Sequence, residues 1–182
     1  AFTPGATFEE EFDSFTPRFT LTWVASDTTT VYGNLSKGTK PGGFNDPGTD
    51  QTTYDEEEAW NFELGLKKRI MEGRGTWNSA LFMINWTDQQ LTFNAQRPDG
   101  TLTSFIDNVG ETSVIGFETE LSMNITANWD MTANYSFISS EINEYVTSDQ
   151  AILLGCNATA EDYYNCIQAK GSVEGNETPR SP

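Results

Sequence analysis

Histidine is absent from all 182 residues. That removes the usual general base and the commonest metal ligand. No run of about 18 apolar residues occurs, so no helix of this sequence is long and greasy enough to cross a bilayer. Basic residues are scarce: 10 Lys and Arg stand against 27 Asp and Glu, a net charge of −17. Phosphate binding needs clustered cations, so nucleic acid is not a partner of this chain. Only two cysteines are present, Cys156 and Cys166. A disulfide between them would close a small loop, contribute on the order of 3 kcal/mol and imply an oxidising compartment. Two free thiols in a reducing cell are the alternative. The first residues have neither the basic start nor the apolar core of a signal peptide, and both ends read as cut from a longer protein.

What the sequence does have is alternation. From Ile115 to Ile125 every second residue is apolar or uncharged (Ile115, Phe117, Thr119, Leu121, Met123, Ile125), and the residues between are Gly116, Glu118, Glu120, Ser122 and Asn124. Met131, Ala133, Tyr135 and Phe137 repeat the pattern after a tight connection near Thr126 to Trp129. A period of two over so long a run exceeds the usual strand of about five or six residues. Two long strands with one dry and one wet face, joined by a short turn, form the repeating unit of a transmembrane β-barrel.

The rest of the chain agrees. Strands are expected over Pro17 to Ser26, Thr29 to about Gly38, Glu58 to Ile70, and from Thr76 through Phe93. Thr101 to Ile106 returns toward the pair described above, and a seventh strand would start after Gly175. Short turns fall near Asp27, Gly73 and Asn128; long connections fall around Gly42, Arg97 and Cys156, the last a polar loop from Ser140 to Gly175. In bacterial outer-membrane barrels short turns are periplasmic and long loops extracellular. The fold class is therefore all-β: a segment of an antiparallel up-and-down transmembrane barrel, six to seven long strands forming an open sheet when alone. Most of Trp23, Trp60, Trp77, Trp86 and Trp129 sit near expected strand ends, which suits an interfacial aromatic girdle.

Several stretches resemble the barrel of TonB-dependent outer-membrane receptors. These are Val31 to Asn45, with Lys-Pro-Gly-Gly-Phe-Asn at its end; Tyr54 to Lys67; Asn78 to Leu91; and Asp107 to Leu121, with Gly-Phe-Glu-Thr-Glu-Leu. The family usually has proline where Glu56 stands, followed by the glutamate matched by Glu57. The resemblance implies a barrel of about 22 strands filled by a plug, an energy-coupling contact to the TonB complex through an N-terminal part, and import of a scarce solute. Siderophore-like, cobalamin-like and oligosaccharide-like ligands are all open. It further implies that residues 1–182 are part of such a barrel, in the outer membrane of a Gram-negative cell, with the plug and other strands elsewhere.

No catalytic constellation is present, and neither an enzyme, a cofactor nor a metal is expected. The acidic run Asp55 to Glu58 reads as a solvated loop end, because it lacks the spacing of a cation loop. Asn61, Glu63, Glu118, Glu120, Thr132 and Asn134 are expected to line the lumen wall against the plug. Phe44, Tyr163 and Tyr164 are expected to contact ligand, since loops carry function on a rigid scaffold. Two rivals remain: a passive porin-like barrel, which finding no plug domain upstream in the full gene would favour, and a soluble secreted carbohydrate-binding β-domain, which detergent-free solubility with a cooperative melt as a monomer would favour.

Overall fold

The structure, a computed structural model, describes residues 9, 11–46, 52–96, 101–157 and 163–177. Six strands form one antiparallel sheet: β1 (Arg18–Ser26), β2 (Thr29–Lys40), β5 (Glu57–Ile70), β6 (Gly75–Gln96), β7 (Leu102–Thr126) and β8 (Trp129–Glu144). Between β2 and β5 a two-residue pair, β3 (Gly43–Phe44) and β4 (Thr53–Tyr54), makes a separate small ladder. The main sheet runs in the order β1-β2-β5-β6-β7-β8, so each long strand pairs with its neighbour in the chain. β1 and β8 are not paired to each other, and the sheet stays open.

Register shows why the alternation matters. Leu21, Gly33, Leu64, Leu81, Phe117 and Phe137 lie in one row across all six strands. The adjacent row on the opposite face holds Asn34, Glu63, Phe82 and Gly116. The dry face is not covered by a second layer: Leu21 is 66% exposed, Leu64 56%, Leu81 54% and Phe137 54%. A soluble sandwich would bury these residues between two sheets. Here they need another apolar medium, which lipid supplies. Between Lys68 and Glu58, the charged residues that bound the dry face of β5, every side chain on that face is uncharged. Those ten steps span roughly 34 Å along a strand, or about 26 Å of height at a barrel tilt near 40°, close to the ~25 Å apolar band of such barrels. Polar groups on this face are satisfied within it: the Trp77 indole donates to Thr119 Oγ1 at 2.9 Å, and Ser79 Oγ lies 2.7 Å from the same oxygen. Lipid offers no other partner.

The three short connections fall at one end. They are Asp27–Thr28, a 3₁₀ turn at Met71–Gly73, and the turn before Trp129. In the 3₁₀ turn Met71, Glu72 and Gly73 all have positive φ, and Gly73 at 88° is the one residue there with no Cβ to strain. Arg69 ties two of the turns together by donating from Nη2 to the Asp27 carbonyl.

At the other end the sequence expectations need correction. β7 is one strand of 25 residues, not a short return followed by a separate strand. β6 and β7 continue beyond the sheet as an arm, past irregularities at Trp86–Gln90 where Asp88 takes φ 53°. Such a bulge interrupts the period of two, which hid the continuity. The expected hairpin tip, Arg97 to Gly100, lies outside the described residues. The stretch expected as a polar loop contains two helices, α1 (Ser148–Leu153) and α2 (Tyr163–Lys170). Thr147 caps α1 by accepting the Gln150 N–H at 3.0 Å, and Gly155 at φ 89° ends it. The chain then returns beside the end of β8 through the Val146–Ser172 bridge and the Ile142 N–H to Asn176 carbonyl bond.

Candidate functional site

The wet face carries the polar chemistry of the sheet. Cross-strand rows bring Lys67, Asn78, Glu120 and Asn134 side by side, then Tyr32, Gly65, Ala80, Glu118 and Ser136, then Asn34, Glu63, Phe82 and Gly116. Asn61 and Thr132 belong to the same face by register. All six residues expected to line a wall therefore share one side of the sheet. Tyr32 donates to Glu63 Oε1 at 2.6 Å, and Lys67 Nζ lies 5.4 Å from the centre of the Tyr32 ring. Thr20 donates to Asn34 at 3.0 Å. Glu118 and Glu120 stay exposed. The surface offers fixed donors and acceptors for a polar partner. Among the described residues no group of three metal-ligating side chains converges.

Two aromatics on this face, Tyr32 and Phe82, each cover a glycine on the neighbouring strand. Phe82 lies over Gly116, where an added Cβ would meet its ring at 2.2 Å, and Tyr32 lies over Gly65 at 2.1 Å. Each ring covers backbone that a glycine leaves bare. The signal was in the sequence as Gly65 and Gly116 interrupting strands, but only register names the ring that fills each gap.

The loop end is built around Glu57. The acidic run was expected to be solvated; instead Glu57 is 8% exposed. Its Oε1 accepts from the Trp86 indole at 2.9 Å and its Oε2 from the Gln90 backbone N–H at 2.8 Å, so one carboxylate spans the bulge of β6. A buried carboxylate is held only where such donors compensate its desolvation. Trp86 accordingly faces inward and does not join an outer girdle. Glu58 pairs with Lys37 at 2.5 Å on the dry side of the same end.

The expected ligand-contact residues are spread over this end. Phe44 is 40% exposed in β3 and meets Phe12 edge-to-face at 6.2 Å. The backbone of Tyr163 and Tyr164 opens α2; their side chains lie outside the described residues. Cys156 and Cys166 form a disulfide. Beneath it Val146, Ala151, Cys156 and Ile167 make a small core of their own, separate from the sheet.

Comparison with known proteins follows this geometry. The family model for the TonB dependent receptor-like β-barrel matches residues 1–182. The probable TonB-dependent siderophore receptor PiuA of Acinetobacter baumannii is 26% identical over 97% of this chain and 22% of its own length. The metal-pseudopaline receptor CntO of Pseudomonas aeruginosa is 28% identical over 77% of this chain and 18% of its own. The chain thus spans about a fifth of the length of these relatives. Among solved structures, the alcaligin outer-membrane receptor FauA of Bordetella pertussis aligns over 71% of this chain and 22% of its own, at a TM-score of 0.54 and 25% identity. The ferric yersiniabactin uptake receptor FyuA of Yersinia pestis shares the fold, at a TM-score of 0.58 over 71% of this chain and 19% of its own, with 23% identity. With its whole length matched, the chain belongs to the TonB-dependent receptor β-barrel family.

Proposed function

We propose that this chain is a wall segment of an outer-membrane receptor that binds a metal chelate of the siderophore kind and imports it to the periplasm with energy delivered through TonB. The observation that carries this reading is the single-layer sheet itself. Its dry face is exposed and uncharged across a membrane's thickness, and its wet face is polar and acidic. The names of two relatives, one for a siderophore and one for metal-pseudopaline, support this choice of solute. Cobalamin and oligosaccharide lose ground on that comparison.

In this reading the three short turns face the periplasm and the arm, the β3–β4 loop and the disulfide loop face outward. Asn61, Glu63, Glu118, Glu120, Thr132 and Asn134 face the enclosed interior and a plug supplied elsewhere in the whole protein. Phe44, Tyr163 and Tyr164 belong to the loops that meet the incoming chelate. Binding at the loops and passage along a polar wall need no bond-making chemistry, which fits a surface of hydrogen-bonding groups.

The test is uptake by the whole receptor in iron-starved Gram-negative cells lacking their own chelate receptors. A panel of ⁵⁵Fe-loaded catecholate, hydroxamate and phenolate chelates is offered, with and without a working TonB. Accumulation of at least one chelate that stops when TonB is removed is the expected result. Entry that is equal without TonB would assign the chain to a passive pore.

A further inference from the structure

Two long connections at the loop end are joined by side chains that imitate a sheet. Asn45, at the end of the Gly-Gly-Phe-Asn stretch, donates from Nδ2 to the Ile106 carbonyl at 2.8 Å and accepts the Ile106 N–H at 2.7 Å. That is the two-bond pattern of a β-bridge, made by an amide side chain instead of backbone. Asn108 does the same to Asp55, accepting its N–H at 2.7 Å and donating to its carbonyl at 2.9 Å, with a second donation to the Asp88 carbonyl at 2.8 Å. Gln90 completes the set by donating to the carbonyls of Pro41 at 2.9 Å, Asp55 at 3.0 Å and Lys40 at 3.3 Å. The Asn108–Asp88 bond lies within the arm; each of the other contacts crosses from the arm to the chain between β2 and β5.

We propose that Asn45, Gln90 and Asn108 are positioning residues that weld the β3–β4 loop to the β6–β7 arm, so that the two connections act as one body and Phe44 is carried on the arm. A loop whose own ladder is only two residue pairs long would otherwise leave many of its backbone groups to water. Asn45 and Asn108 each supply a donor and an acceptor to that backbone and Gln90 supplies donors; an ionised carboxylate could only accept. Gly42 and Gly43 fit the same purpose. A Cβ on Gly42 would meet the Phe12 ring at 2.5 Å, and one on Gly43 the Tyr54 hydroxyl at 2.4 Å. The loop backbone must therefore come close to both rings to reach the arm. The loop and arm are fixed before any ligand arrives, which lowers the ordering cost of binding. The consequence for binding rests on the function proposed above; the weld itself does not.

The test uses the whole receptor in detergent micelles, with amide hydrogen exchange read by mass spectrometry on wild type, Asn45→Ala and Asn45→Asp. Aspartate keeps the acceptor for Ile106 but loses the donor. In Asn45→Ala the Ile106 amide is expected to exchange about tenfold faster, and the Asp55 amide, which Asn45 does not touch, to quicken by a similar factor because the weld opens as a unit. Asn45→Asp should fall between. Faster exchange at Ile106 alone, with Asp55 unchanged, would overturn the single-body inference even in a fully folded barrel.

A second reading uses whichever ⁵⁵Fe chelate the panel above identifies. Asn45→Ala is expected to raise the half-saturating concentration several-fold while leaving the maximal uptake rate unchanged, because Phe44 is misplaced but the transport path is intact. An unchanged half-saturation would show that the weld does not position the ligand contact. If no chelate enters, the transport assignment fails, while the exchange result still decides the weld.

Discussion

The ring of Phe82 occupies the space that a side chain on Gly116 would need, directly across the β6–β7 ladder on the wet face. Gly116→Ala should therefore overpack the face and destabilise the barrel by about 1–3 kcal/mol. Urea-induced unfolding of the receptor reconstituted in vesicles measures it. Adding Phe82→Ala removes the obstacle, so the double variant should recover part of the loss through a favourable coupling energy. Purely additive effects would show that ring and glycine do not compete for one space.

Glu57 bridges the Trp86 indole and the Gln90 amide across the β6 bulge. Glu57→Ala leaves both donors without their acceptor in a partly buried place, at a cost of about 1–2 kcal/mol. Glu57→Gln keeps one acceptor and should cost less. Hydrogen exchange at Gln90 reports the change locally, and its amide should lose protection in Glu57→Ala first.

The disulfide loop has its own four-residue core and depends on Cys156–Cys166 for its closure. Replacing both cysteines by serine should cost the loop about 3 kcal/mol and leave the sheet unchanged. Limited proteolysis checks this: cleavage between Ser148 and Lys170 should appear in the variant or under reductant, while strand peptides remain protected.

Much of this fold was legible in the sequence because a period of two is a direct record of environment. Phe19, Leu21, Phe62, Leu64, Ile115 and Phe117 declare a dry side, and the glutamates Glu63, Glu118 and Glu120 declare the other. The reading weakened wherever an environment changed within one strand. Past Trp86 two register shifts interrupt the ladder, so β6 and β7 read as broken pieces. Phe82 and Trp86 are apolar in composition yet face the wet side, for reasons set by Gly116 and Glu57 across the ladder. The short helices α1 and α2 are held by one cap, one glycine and a disulfide, and their brief length leaves almost no amphipathic period to read. The candidate wall residues were found by alternation alone, whereas Asn45, Gln90 and Asn108 were missed because their partners are backbone groups far away in sequence.

The charge tolerance of the two faces should differ by position alone. Leu81→Arg on the dry face near mid-height should destabilise the folded barrel by about 2–4 kcal/mol. Ser136→Arg on the wet face, beside Glu118, should cost much less. Folding titrations into phosphatidylcholine vesicles compare them, and equal penalties would contradict a lipid-facing dry side.

Labelling reads the same alternation directly. Nitroxide side chains placed singly at Glu63, Leu64, Leu81, Phe82, Phe117 and Glu118 of the whole receptor in lipid vesicles sample neighbouring positions on both faces. Collision with dissolved oxygen should dominate at Leu64, Leu81 and Phe117, and should be low at Glu63, Phe82 and Glu118, giving a strict period of two. Uniform oxygen access along each strand, or protection of Leu64, Leu81 and Phe117 from lipid-borne oxygen, would contradict the membrane-wall account.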